Sequence, residues 1–97
     1  MRWIEIIQLR VTERSASSAL VDALRGSLEE KRVAFAIYRH AVVASDLGVH
    51  LVHETDGDAG PDRTLAERLA ATLEAYGLVH RSLWKQIQQP SGERRSS

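Results

Sequence analysis

Two neighbouring strand candidates in this chain are apolar on both faces, which a sheet covered on one side does not require. Val33, Phe35 and Ile37 alternate with Ala34, Ala36, Tyr38 and His40, and Val49 and Leu51 alternate with His50, Val52 and Glu54. Side chains of a strand alternate between its two faces, so one set can cover a helix-packed core while the other must find a second layer. In a chain of 97 residues that second layer is expected from another copy of the same chain.

Hydrophobic periodicity supplies the remaining elements. Residues 2–11, RWIEIIQLRV, read as a strand rich in β-branched and aromatic residues. Ser15 suits a helix N-cap, and Ala16, Leu20, Leu24 and Leu28 recur at helical spacing. Gly26 costs that helix about 1 kcal/mol relative to alanine, and Glu29 to Arg32 close it. A second strand over 33–40, with a possible extension through Val42–Ala44, and a third over 49–55 flank the turn-forming Ser45–Gly48. After a loop over 56–61, Leu65, Leu69, Leu73 and Tyr76 form a helical stripe flanked by Ala66 and Ala70. Two starts compete: Pro61 at the first helical position, or a capping box between Thr64 and Glu67. Gly77 has the character of a C′ residue with positive φ. Residues 78–87 read as a fourth strand, giving one domain over 1–88 followed by a flexible tail over 89–97.

The order β-α-β-β-α-β is that of the split βαβ, or ferredoxin-like, α+β motif: a four-stranded antiparallel sheet, order 4-1-3-2, with both helices on one face. The helix side takes Ile7, Leu9, Val11, Val33, Phe35, Ile37, Val49 and Leu51. The open face takes Ile4, Ile6, Gln8 and Arg10 with Tyr38, His40, His50, Val52 and Glu54. The fourth strand fits if Val79, Leu83 and Ile87 face the helices, with Arg81 and Lys85 reaching water at an edge. His80, Ser82 and Trp84 then join the open face. Ile4, Ile6 and Val52 are the expected dimer interface, because apolar patches beyond a few hundred Å² mark interaction sites.

In element order and two-sided sheet, residues 2–87 resemble the dimeric α/β-barrel group of ferredoxin-like proteins, which includes the antibiotic-biosynthesis-monooxygenase-like proteins. The stretches SDLGVHLVHE (Ser45–Glu54) and TLAERLAATLEAYGLVHRSLW (Thr64–Trp84) also resemble small, uncharacterised bacterial proteins. The resemblance implies a homodimer with its site between facing sheets. Some branches of that group use an Asn-Trp-His arrangement, and this chain contains no asparagine to supply it.

Histidines are the candidate chemistry. A hairpin centred at Ser45 sets His40 opposite His50, with β-carbons about 5 Å apart. Such a pair beside Tyr38 suits either acid–base work near neutral pH or a plain polar pair near a hairpin end. His80 lies two strands from His50, about 10 Å away, too far to share an ion, and Glu54 is expected near His80 and Gln8. His50 and His53 point to opposite faces of one strand. Glu5 reads as an ordinary edge position, and Trp3 and Trp84 as core or interface anchors or stacking surfaces. The expected ligand site is therefore Tyr38, His40, His50 and Glu54, joined by His80 and Trp84, with a small aromatic or oxygenated organic molecule as guest. Its chemistry would be cofactor-free and of monooxygenase or isomerase type, with no metal. The competing reading is a dimerisation or regulatory module with a packed interface.

Composition narrows the partners. Thirteen basic residues balance thirteen acidic ones, so there is no electrostatic case for nucleic acid or an anionic membrane. The absence of cysteine excludes disulfides, zinc thiolates and thiol nucleophiles. Charges interrupt the first residues, and no apolar run nears the ~20 residues of a membrane span, so a cytoplasmic location is expected.

Overall fold

Alternating burial along the first strand sets the frame of the molecule. The computed structural model describes residues 1–12 and 17–88; the expected cap at Ser15, Ala16 and the tail over 89–97 lie outside them. The elements are β1 (Arg2–Val11), α1 (Ser17–Glu30), β2 (Ala34–Arg39), β3 (Asp46–Glu54), α2 (Thr64–Leu73) and β4 (Gly77–Lys85). They form one antiparallel sheet of order β2-β3-β1-β4, the expected ferredoxin-like arrangement read from the opposite edge. Among the described residues, no helix is long and apolar enough to cross a membrane.

The core lies between the sheet and the two helices. Ile7, Leu9 and Val11 of β1 and Leu47, Val49 and Leu51 of β3 are buried against Leu20, Leu24 and Leu28 of α1 and Ala66, Leu69, Ala70 and Leu73 of α2. Val33, Phe35, Ile37 and Val79 pack at its margin. β4 has the expected parity: Val79 pairs with Leu9 and Leu83 with Glu5, while His80 pairs with Gln8 and Trp84 with Ile4. Ile87, expected on the helix side, lies beyond the strand and is 90% exposed.

Several local expectations are corrected. β2 ends at Arg39, and β3 starts at Asp46, three residues earlier than expected. Val42 and Val43 therefore belong to the exposed hairpin loop rather than to a strand. Hydrogen bonds hold that loop: His40 Nδ1 accepts the backbone N–H groups of Val42 and Val43, the Asp46 N–H reaches the Val43 carbonyl, and Arg39 Nη1 donates to the Ala44 carbonyl.

The second helix uses neither expected start. Asp62 accepts from both the backbone N–H and the hydroxyl of Thr64, at 2.9 and 2.7 Å. These bonds hold the Asp62 carboxyl below its ordinary pKa. Tyr76 falls outside the helix, in the turn that follows it. Gly77 opens β4 without a positive φ. It is required instead because a Cβ there would run into the Arg10 carbonyl of the adjacent strand. Among the described non-glycine residues, the left-handed one is Arg32, at φ 57°, just after α1.

Candidate functional site

The open face is a grid whose rows follow from strand pairing. Tyr38, Gly48, Gln8 and His80 form one row across β2, β3, β1 and β4, and Ala36, His50, Ile6 and Ser82 form the next. Ala34, Val52, Ile4 and Trp84 make a third. Beyond the first row, Arg10 pairs with Asp46 through two hydrogen bonds of 3.0 and 3.1 Å; beyond the third, Arg2 pairs with Glu54 at 2.6 Å. The face is therefore polar towards the hairpin and apolar towards the other end, with an ion pair at each extremity.

A concavity of about 570 Å³ opens over the polar half. Tyr38, His40, Asp46, Gln8, His50 and His80 supply its polar walls, and Ile6 and Leu78 its apolar ones. Gly48 deepens the floor, since the row between Tyr38 and Gln8 has no side chain there. Tyr38 leans over to His50, with ring centroids 4.5 Å apart and planes tilted by 54°. Partial burial lowers the pKa of His50, because desolvation disfavours its charged form. The imidazole therefore stays neutral near pH 7, with a lone pair able to accept a proton. The Arg10 guanidinium, hydrogen-bonded to Asp46, holds that carboxyl below its usual range.

Of the six expected ligand residues, four line this concavity: Tyr38, His40, His50 and His80. The expected pairing of His40 with His50 is overturned. His50 lies opposite Ala36, and the His40 N–H instead reaches the Asp46 carbonyl. Four residues of β3 separate those positions, about 13 Å along a strand. With Nδ1 engaged in the hairpin loop, His40 keeps only Nε2 for a guest. Glu54 is not near His80 or Gln8: it sits at the far end with Arg2, beside a smaller recess shared with Gln86 and Ile87. Trp84 stands in the apolar row, 62% exposed, its indole N–H donating to Ser82 Oγ. Trp3 belongs to the helix-side parity, bonded to Thr55 and covered by the Lys85 ammonium. His53 shares that parity, leaving three of the four histidines at the open face.

The expectation that Glu5 is an ordinary edge position is overturned. Glu5 lies on a central strand, has no exposed surface, and is held by Arg63 through both carboxylate oxygens. The Arg81 Nε, buried and without a hydrogen-bond partner, lies 3.8 Å from the same carboxylate. Arg81 thus meets a counter-charge under the sheet rather than water. The available signal was a carboxylate at core parity, which requires a cation.

Among the described residues, no three His, Asp or Glu side chains converge as a metal-holding group. No family model, curated protein or solved structure matches this chain.

Proposed function

We propose that this chain is a homodimeric small-molecule-binding protein whose site lies on the open sheet face between two copies, akin to the dimeric α/β-barrel proteins that it resembles. The supporting observation is the concavity of about 570 Å³, within the range of small-molecule sites, where polar groups converge beside an exposed apolar field. A small aromatic or oxygenated organic molecule fits this mix. Its flat apolar part would rest on Ile6 and Tyr38, and its oxygens would meet Gln8, His80 and His50. In an enzymatic form, cofactor-free and of monooxygenase or isomerase type, neutral His50 takes a proton and the Tyr38 hydroxyl binds the oxygen on which charge develops. The cysteine-free composition suits a reducing, cytoplasmic setting.

Size-exclusion chromatography with light scattering tests the assembly. The chain is expected as a dimer and the Val52→Asp variant as a monomer; a monomeric parent protein rejects the proposal. A crystal structure of the dimer tests the site. A polar-lined interfacial cavity of roughly 300 Å³ or more supports binding, whereas a dry, filled interface leaves a dimerisation module.

A further inference from the structure

The rows of the open face decide how a second copy can lie on it. In aligned face-to-face packing, two sheets lie about 10 Å apart with strands within about 30° of one another, so a two-fold axis between them runs near-parallel or near-perpendicular to the strands. A perpendicular axis sets each strand over itself and inverts the rows. Arg10 would then oppose the partner's Arg2, and Asp46 the partner's Glu54, so like charges meet at both ends. It would also lay the apolar row of Ala34, Val52, Ile4 and Trp84 over the polar row of Tyr38, Gln8 and His80.

A parallel axis does the reverse. It preserves each row and exchanges β2 with β4 and β3 with β1 in the order β2-β3-β1-β4. Arg10 then faces the partner's Asp46, and Arg2 the partner's Glu54. The large Trp84 seats on the partner's small Ala34, and Ile4 on the partner's Val52. The face is four strands wide and nine to ten residues long in its two central strands, roughly 20 by 30 Å at normal strand spacing. Two such faces bury about 1,200 Å², the lower bound of a stable specific interface.

We infer that the second copy docks about an axis parallel to the strands, so that the partner's His80 comes over Tyr38 and completes each ligand site. Within one chain, Tyr38 on β2 and His80 on β4 stand at opposite edges of the sheet, with Gly48 and Gln8 between them. Across the axis they become nearest neighbours. Each dimer then holds two equivalent sites, each taking Tyr38 and His50 from one copy and an imidazole from the other. This deepens the proposed function and rests on its open-face dimer. It adds that the partner brings a further imidazole, directly over Tyr38, to the polar frame that one copy already lines.

The cysteine-free sequence allows a clean cross-linking test. Ser82 faces the partner's Ala36 about the parallel axis, whereas about the perpendicular axis each of these residues faces its own copy. Ala36→Cys and Ser82→Cys proteins, mixed under exchange and treated with a bis-maleimide spanning the ~10 Å between packed sheets, should give a covalent dimer only in the mixture. Tyr38→Cys mixed with His80→Cys should do the same. Cross-linking of Ala36→Cys or Ser82→Cys alone overturns the inference in favour of the other axis. A dimer by light scattering that cross-links in no combination overturns it while leaving the dimer intact. Monomeric parent protein removes both readings.

Discussion

Arg63, at the entry to α2, grips both carboxylate oxygens of Glu5, a side chain with no exposed surface in the middle of β1. This pair ties the connection before α2 to the sheet. Removing Arg63 leaves the buried Glu5 carboxylate with Arg81 alone, 3.8 Å away and not hydrogen-bonded to it. Arg63→Met is therefore expected to cost about 3 kcal/mol, the lower end for such losses because the guanidinium is partly solvated. Urea unfolding should show the Glu5→Met, Arg63→Met double variant losing less than the sum of the two single variants. Strict additivity would mean that the pair is not energetically coupled.

Arg32 offers a stabilising change. Its φ of 57° costs a residue with a β-carbon roughly 1 kcal/mol, and glycine adopts that conformation freely. Arg32→Gly should raise the unfolding midpoint by a few degrees in a thermal melt. A lower midpoint would mean that the side chain contributes more than its backbone conformation costs.

Two glycine-to-alanine changes should act with opposite sign. At Gly26, within α1, an added β-carbon meets nothing within 4 Å, and alanine should gain up to about 1 kcal/mol from helix propensity. At Gly77 it would collide with the Arg10 carbonyl. Alanine there must displace β4 from β1 and should lose at least about 2 kcal/mol, as overpacked sites do. Denaturant midpoints measured side by side decide both.

His50 predicts a pH dependence. Burial lowers its folded-state pKa below the ordinary 6.5, so between those two values the unfolded chain holds more protons and stability rises with pH. The contribution of a neutral His50 is complete above about pH 6.5 and is lost as pH falls from there towards the folded value. His50→Phe should flatten the stability profile over this window. An unchanged slope would assign the dependence to other groups.

Parity was more legible than neighbourhood. The sequence reading centred the β2–β3 hairpin on Ser45, where serine, aspartate and glycine favour turns. The connection instead spans 40–45 and centres on Val43, because His40 Nδ1 collects two loop N–H groups and Arg10 holds Asp46 within the sheet. Pairing consequently shifts by four residues, so that His50 meets Ala36 rather than His40. An even shift leaves every side chain on its expected face. The two faces were therefore legible from periodicity, whereas the histidine pair was not. Glu54 was misplaced for a related reason: which residues meet on β1 depends on a long-range register that alternation does not encode. Helix-capping rules mark Gly77 for a positive φ that it does not adopt, since crowding by a neighbouring strand is invisible to them.

The hairpin's displacement puts Gly48 in the floor of the concavity rather than in a turn. A β-carbon there would sit 4.0 Å from Tyr38 Cβ, in ordinary contact, with nothing else as near. Position 48 can therefore carry small side chains without disturbing the strands around it. It is a dial for selectivity: each carbon added subtracts room from the guest while leaving Tyr38, His50 and the ion pair where they stand. A lineage of such chains could change the molecules they accept through this one codon, with the scaffold untouched.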